Sequence, residues 1–365
     1  MSRRKRHGEP GLLGALGAFL VGLFLLLVVA EIGLRIVMPN WREYHSGRFM
    51  EATSYPGYAN TSIGRPGFDG WFAQNNGDFR VRIRINQFGL RNDEPVEAAD
   101  KRLWVIGDSM SFGWGVERDK SYTQVIADRL GAPTYNVASP GTGVCSWQTL
   151  YARMPSELKP KAVVVGLTIE NRMGVHDCAK AAALANAPGP AIGAASEPLT
   201  FIGVKMFLTR HLALYNFFAV SLKRVGGIET ILESTGLITK PHGNNLHGQD
   251  PAQAAEMIST TALELANLKT MVPADIPFLV VLFPARFELR DGNEYFRDLR
   301  LGEAAALAER GVDTLDLFED FKAAGYHPTH FAHDGHWSEL GHAVAGEAIA
   351  KWFAAKGWPK AEPAQ

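Results

Sequence analysis

The chain has 365 residues, of which 46% are hydrophobic and 21% are charged, as is typical of a globular protein with one large or two small domains. Lysine and arginine number 37 and aspartate and glutamate 38, so the formal net charge is -1. This balance gives no electrostatic reason to expect a nucleic-acid partner.

The N-terminal region has the pattern of a membrane anchor. Gly11 to Ala30 are 20 consecutive positions without a charge, which is the length a helix needs to cross a bilayer, and a basic cluster, Arg3–Arg6, precedes them. By the positive-inside rule we expect a cytoplasmic tail over residues 1–10, an anchor over 11–38, and everything beyond outside the cytoplasm. A cleaved signal peptide is the alternative, but its apolar stretch is usually only about 7–15 residues long.

Residues 39–100 are predicted to be an N-terminal extension that contains a strand. Phe79, Val81, Ile83 and Ile85 alternate with polar residues, and this period of two indicates a half-buried strand. The intervening Arg80, Arg82 and Arg84 are its solvated face, with a polyanion-binding face as the alternative.

Residues 101–355 have an alternating strand and helix pattern. The predicted strands are Leu103–Ile106, Tyr135–Val137, Ala162–Gly166, Phe278–Phe283 and Thr314–Leu317. The predicted helices are Ser121–Leu130, Ala252–Met271, Asn293–Arg310 and Ala343–Trp352. This alternation predicts an α/β fold, a three-layer α/β/α sandwich around a parallel sheet of about five strands.

An insertion over residues 179–250 interrupts this pattern. Ala179–Pro198 is rich in alanine, glycine and proline and is expected to be an irregular loop. Phe201–Val225 is expected to be an apolar helix, either packed on the domain, lying against the membrane or acting as a lid. His242–Asp250 is polar and is expected to be a loop.

A Gly107-Asp108-Ser109 turn follows the first predicted strand of the α/β region. In open parallel sheets, catalytic groups lie at the carboxyl ends of strands. A serine there, at the start of a helix, meets backbone N–H groups that stabilise an oxyanion. The same turn is also a common helix cap, and Ser111 is a rival nucleophile.

A base for this serine is expected after the fifth strand, where Asp334 and His336 share one short turn. A serine nucleophile needs an imidazole that takes its proton and a carboxylate that orients the imidazole. His333 and His342 are rival bases. The spacing of His327, His330, His333 and His336 also suggests a metal site, but no Cys or Glu partner follows metalloenzyme spacing, so no metal is expected.

With these motifs the chain resembles a bacterial SGNH hydrolase, the GDSL-like esterase family, whose fold is flavodoxin-like. Gly107-Asp108-Ser109 matches the first family block, and Tyr135 to Gly141, Gly166 to Asn171 and the Asp334/His336 segment resemble the second, third and fifth. The resemblance covers residues 102–352. It implies Ser109, His336 and Asp334 as catalytic residues, an oxyanion hole of Ser109, Gly141 and Asn171, no cofactor, and an inner (cytoplasmic) membrane location with a periplasmic or extracellular domain.

Two departures from the family pattern stand in the third and fifth blocks. Ile169 and Arg172 replace a glycine and an acidic residue in the third, and only Gly335 separates Asp334 from His336. The Asp-x-His-Trp sequence resembles SGNH-like alginate O-acetyltransferases, which act in the periplasm.

The expected activity is removal of O-acyl groups, above all acetyl, from an envelope or extracellular carbohydrate. The alternatives are an O-acyltransferase supplied by a membrane acyl-donor protein, and a non-catalytic carbohydrate-binding or scaffold module.

The chain contains two cysteines, Cys145 and Cys178. They flank one strand–loop segment, and an oxidising compartment permits them to pair. A disulfide and two buried free thiols are both consistent with the sequence.

Overall fold

A computed structural model describes residues 12–74, 77–187, 207–208, 211–221 and 251–358. Residue contacts divide the chain into two units. The first contains Met1–His45 and Ser196–Ile238, and the second contains Ser46–Ala195 and Thr239–Gln365.

The first unit contains the long apolar helix α1, Leu12–Val37. Its segment Gly14–Val37 has a mean hydropathy of 2.6 and is not buried, so by length and composition it is long and apolar enough to cross a membrane. Beyond α1, a 3-10 turn covers Trp41–Tyr44. Helix α7 covers Ala213–Ser221. At its start, the backbone N–H groups of Ala213 and Leu214 donate to the Glu31 carboxylate at 2.9 and 2.7 Å.

The second unit is built on a parallel five-stranded sheet, which confirms the predicted fold class. Its strands are β5 (Leu103–Gly107), β6 (Thr134–Asn136), β7 (Ala162–Thr168), β8 (Phe278–Phe283) and β9 (Asp313–Asp316). Their order in the sheet is β6-β5-β7-β8-β9, and every neighbouring pair is parallel. The three central strands are buried at every position, as expected of continuous apolar runs covered on both faces.

Helices cover both faces of this sheet. The helices in the described residues of this unit are α2 (Ser109–Phe112), α3 (Tyr122–Leu130), α4 (Val144–Ala152), α5 (Ile169–Arg172), α6 (Cys178–Ala185), α8 (Pro251–Met271), α9 (Arg286–Asp291), α10 (Glu294–Glu309), α11 (Phe318–Ala324), α12 (Tyr326–Thr329) and α13 (Glu339–Ala355). The core on one face contains residues of α4, α8 and α10, and the core on the other contains residues of α3, α11 and α13. Two separate cores around one sheet define the three-layer α/β/α sandwich.

The N-terminal part of this unit forms two antiparallel strand pairs. Strand β1 (Met50–Thr53) pairs with β2 (Thr61–Gly64), and β3 (Asp69–Ala73) pairs with β4 (Arg80–Arg84). Strand β4 is the predicted alternating strand, with its arginines exposed and its apolar residues buried. Arg82 is bound by Asp69 on the neighbouring strand at 2.7 and 2.8 Å, which supports the solvated-face interpretation.

The insertion differs from the sequence prediction. Ala179–Pro198 was expected to be irregular, but Cys178–Ala185 is helical, so that expectation is wrong over its first seven residues. The Asp177 carboxylate caps this helix by accepting a hydrogen bond from the Lys180 backbone N–H at 2.8 Å, and an alanine-rich run favours helix. Of the predicted helix Phe201–Val225, the structure describes Ala213–Ser221 as a helix, while the loop predicted over His242–Asp250 lies outside the described residues.

Candidate active site

The Gly-Asp-Ser turn joins β5 to α2 and places Ser109 at the first position of that short helix. Gly107 has a φ of +156°, and a Cβ there would lie 2.8 Å from the Ser111 Cβ, so the turn requires glycine. Asp108 caps the helix by accepting a hydrogen bond from the Met110 backbone N–H at 2.9 Å. The turn therefore holds Ser109, which is 9% exposed, at the carboxyl edge of the sheet.

Arg172, which departs from the family's third block, is bound to the same turn. Its Nε donates to Asp108 Oδ2 at 2.7 Å, and the Thr168 hydroxyl donates to the same oxygen at 3.1 Å. Both side chains of this ion pair are largely withdrawn from solvent. The third block thus carries a cation that neutralises Asp108 beside the serine, a role that sequence reasoning did not assign to Arg172.

His336 lies between Ser109 and Asp334. Its Nδ1 donates to Asp334 Oδ1, which leaves Nε2 to accept the Ser109 hydroxyl hydrogen across 2.8 Å between Nε2 and Oγ. The Trp114 ring stacks on the imidazole with ring centroids 5.4 Å apart. These contacts produce the serine–imidazole–carboxylate relay that nucleophilic catalysis requires.

Asp334 is held in its ionised form although it is buried. Burial alone raises the pKa of Asp334, but the hydrogen bonds and charge of His336, with a hydrogen bond from Gln74, outweigh it and leave the pKa below its ordinary value. The Gln74 amide Nε2 donates to Asp334 Oδ2, the oxygen that His336 does not use. Gln74 follows β3, and nothing in the local sequence pattern indicated that it reaches residue 334.

The turn between Asp334 and His336 depends on Gly335. This residue has a φ of +83°, and a Cβ there would lie 2.7 Å from the Arg286 Cζ. Arg286 is fixed in turn by Glu170, which accepts from its Nε at 2.9 and 3.0 Å, from its Nη2 and from its backbone N–H at 3.0 Å. The short Asp-Gly-His spacing, a departure from the family pattern, is thus matched by an arginine packed against the glycine.

A cavity of about 620 Å³ opens beside Ser109. Gly141 and Asn171 line it together with Ser109 and His336, so the structure brings all the residues of the predicted oxyanion hole to one cavity. Gly141 has a φ of +77°, and Asn171 is exposed on α5. Their role as oxyanion donors remains a prediction.

Two of the rival residues are committed to packing. His342 is 1% exposed, its Nδ1 accepts the Tyr122 backbone N–H at 3.3 Å, and burial lowers its pKa to about 3. Ser111 is fully buried, and its hydroxyl accepts a hydrogen bond from the Tyr122 hydroxyl at 2.8 Å. Neither side chain is available to a substrate.

Two other histidines of the segment, His330 and His333, have different surroundings. His330 is buried, and burial lowers its pKa to about 4, while His333 binds Asp78 and lines the cavity. Across the described ranges of the chain, no group of three His, Cys, Asp or Glu side chains is placed to hold a metal ion.

Cys145 and Cys178 are joined in a disulfide, with Cα atoms 5.0 Å apart. The bond links the N-terminal turns of α4 and α6. The Glu264 carboxylate accepts from the Cys178 backbone N–H at 3.0 Å and from the Gln148 side chain at 2.9 Å, so the bridge lies in an ordered polar contact between three helices.

No protein-family model and no curated protein matches the chain. Among solved structures, it is similar to a member of the lipolytic protein G-D-S-L family from Veillonella parvula, with 11% identity over 70% of this chain and 98% of the other and a TM-score of 0.39. It is also similar to a carbohydrate acetylesterase from Sinorhizobium meliloti, with 14% identity, 70% and 100% coverage and a TM-score of 0.37. A carbohydrate esterase family 2 enzyme from Corynascus thermopiles has 17% identity, 71% and 67% coverage and a TM-score of 0.38. Similarities this low identify neither a substrate nor a mechanism.

Proposed function

We propose that this protein is a serine esterase of the SGNH type that removes O-acyl groups, above all acetyl, from a carbohydrate. The observation that carries the proposal is the relay from Ser109 through His336 to Asp334, with Ser109 facing a cavity of about 620 Å³. A merely structural serine does not need an imidazole at 2.8 Å that is itself oriented by a buried carboxylate.

Catalysis follows the arrangement of these three side chains. The Ser109 oxygen attacks the ester carbonyl as its proton passes to His336 Nε2, and Asp334 stabilises the imidazolium. His336 then returns the proton to the departing alcohol, which leaves an acyl-serine. Water, deprotonated by the same imidazole, releases the acid. Backbone N–H groups of Ser109 and Gly141 and the Asn171 amide hold the oxyanion, and loss of one such donor costs about 10²–10³ in kcat.

The lining of the cavity supports a polar, hydroxylated alcohol as the leaving group. Ser46, Ser62 and Asn171 contribute hydrogen-bonding groups, and Trp114 contributes an aromatic surface. Sugars present alternating hydroxyls and C–H faces, and a site of this composition can bind both.

The proposed location is the periplasmic or outer side of the inner membrane, with α1 as a single-pass anchor and the N-terminus in the cytoplasm. The apolar length of α1 after a basic tail supports this orientation. The disulfide between Cys145 and Cys178 supports an oxidising compartment.

The second candidate is an O-acyltransferase, in which a carbohydrate hydroxyl replaces water and a membrane protein supplies the acyl group. The observation that favours it is the Asp334-Gly335-His336-Trp337 segment, which resembles alginate O-acetyltransferases. Both reactions use the same acyl-serine and differ in the acceptor.

Full-length protein in detergent, incubated with an acetylated oligosaccharide and an unmodified acceptor, tests the proposal. The esterase predicts free acetate that is lost in Ser109→Ala, while acetylated acceptor predicts the transferase. Asn171→Ala should lower kcat by about 10²–10³, and an unchanged kcat would remove Asn171 from the oxyanion hole. Absence of both products, with Ser109→Ala retaining every cellular function, would instead favour a non-catalytic carbohydrate-binding module.

A further inference from the structure

A second imidazole–carboxylate pair lies on the same turn as the proposed catalytic pair. His333 Nδ1 is 2.8 Å from Asp78 Oδ1, and the His333 backbone N–H donates to Asp78 Oδ2 at 3.1 Å. His333 is one residue before Asp334, and both line the cavity beside Ser109. The turn therefore presents two histidines, each held by an aspartate, to one cavity.

The exposure of this pair differs from that of an ordinary surface ion pair. The Asp78 side chain is 5% exposed, whereas the His333 side chain is 64% exposed. Exposed pairs contribute little because two mobile side chains must be ordered. Here one partner is buried and fixed, so the carboxylate orients the imidazole while the ring stays open to solvent.

The contact with Asp78 also sets the chemistry of the free edge of the ring. Because Nδ1 donates to the carboxylate, neutral His333 has an acceptor at Nε2. No residue in the described part of the chain hydrogen-bonds to this nitrogen. An oriented acceptor at the wall of the cavity is suited to a hydroxyl group of a ligand.

The connection between β3 and β4, which contains Asp78, makes further contacts with the segment around His333 and Asp334. Asp78 lies between β3 and β4, and Gln74, at the other end of the same connection, donates to Asp334. The ring of Phe79 packs against that of Phe331, with centroids 5.2 Å apart. The strand pair of the N-terminal extension thus holds both His333 and Asp334 in place.

We propose that His333, oriented by Asp78, binds a hydroxyl group of the carbohydrate whose ester Ser109 attacks. This inference rests on the proposed esterase function and deepens it, because it assigns a residue that selects polyhydroxylated alcohols over simple ones. The proton transfers at the ester remain with His336, and His333 contributes binding and orientation.

The test compares two esters, an acetylated oligosaccharide and 4-nitrophenyl acetate, whose leaving group has no aliphatic hydroxyl. The measured quantity is the ratio of the two kcat/KM values in the full-length protein. His333→Leu should lower this ratio about 3- to 10-fold, the range for loss of one neutral hydrogen bond. Asp78→Asn should lower it in the same direction because the ring loses its orientation.

Two amide variants and one control make the test specific. His333→Gln places an acceptor oxygen near the position of Nε2 and should restore part of the ratio, whereas the shorter His333→Asn should not. His327 is exposed and does not line the cavity, so His327→Leu should leave the ratio unchanged.

The outcomes separate this inference from the proposed function. An unaltered ratio in His333→Leu, with both kcat/KM values unchanged or lowered by the same factor, overturns the role of His333 and leaves the esterase intact. Absence of Ser109-dependent turnover of either ester in the wild-type protein overturns the esterase itself.

Discussion

Replacement of Arg172 by methionine should destabilise the protein and the nucleophile turn together. Asp108, which precedes Ser109, is 1% exposed and receives three hydrogen bonds: from the Met110 backbone N–H, from Thr168 and from Arg172. In Arg172→Met only the two neutral donors remain. A buried carboxylate would then lack its counter-ion beside the serine.

Loss of one partner of a buried ion pair costs about 3–5 kcal/mol, because the other charge is left uncompensated. We expect the lower part of this range, about 3 kcal/mol, because two donors to Asp108 survive. Asp108→Asn removes the charge instead, so the double variant Asp108→Asn/Arg172→Met should be more stable than the sum of the two single changes implies.

Denaturant unfolding of the full-length protein in detergent, followed by tryptophan fluorescence, measures these free energies. Arg172→Lys is the matched control, since it keeps the charge and loses the Nε contact. A loss below about 1 kcal/mol in Arg172→Met, or strict additivity in the double variant, would contradict the assignment of Arg172 as the counter-ion of Asp108.

Three further predictions concern the turn, its support and the core. Gly335→Ala should lower kcat about 100-fold, because the new Cβ displaces the turn against Arg286. The control Gly292→Ala, at a φ of +65° with open space around it, should only lower the stability of the protein. Equal kcat values in the two variants would contradict the prediction. Gln74→Leu should raise the pKa of Asp334, because the ionised carboxylate loses a hydrogen-bond donor. An NMR titration of the Asp334 carboxyl that gives the same pKa in both proteins would separate Gln74 from Asp334. Burial raises the pKa of Glu303, whose carboxyl oxygens find no partner among the described residues, to about 8. Its folded form therefore holds a proton that the unfolded form releases above about pH 4.5. Wild-type stability should fall relative to Glu303→Gln by roughly 3 to 4 kcal/mol between pH 5 and pH 8, and parallel stability profiles would refute this.

The sheet could be predicted from the sequence because each central strand is a short continuous run of apolar residues. Runs such as Phe278–Phe283 are apolar throughout and contain β-branched and aromatic residues, and this strand has the predicted bounds. The residue at which a strand ends is harder to predict from sequence. Strand β7 continues to Thr168, two residues beyond the prediction. That extension positions the Thr168 hydroxyl against Asp108.

The proposed catalytic residues could be found from sequence because each lies in a short motif: Ser109 is in the turn that follows β5, and Asp334 and His336 share one turn. Their supports could not, because they come from distant parts of the chain. Gln74 and Asp334 are 260 positions apart, and Glu170 and Arg286 are 116 apart. Local periodicity contains no information on such pairs, and nothing in the sequence indicates that Arg172, a departure in the third block, contacts Asp108.

In the insertion, a local helix signal was present in the sequence but the segment was predicted as a loop. Its alanine-rich start favours a helix, whereas the glycine and proline residues that follow favour an irregular loop. The prediction extended the loop over both parts. The cap at Asp177 and the disulfide at Cys178 both lie at the start of α6 and favour the helix. The predicted insertion begins at residue 179, two positions after Asp177 and one after Cys178, so neither residue was part of the predicted segment.

The central claim is that Ser109 is an activated nucleophile. Treatment of the full-length protein with a fluorophosphonate, followed by mass spectrometry of its peptides, tests this most directly. We predict one adduct on Ser109 that is absent in Ser109→Ala and strongly reduced in His336→Ala, while His327→Leu labels like wild type. A folded wild-type protein that is not labelled, or that is labelled equally without His336, would contradict the account.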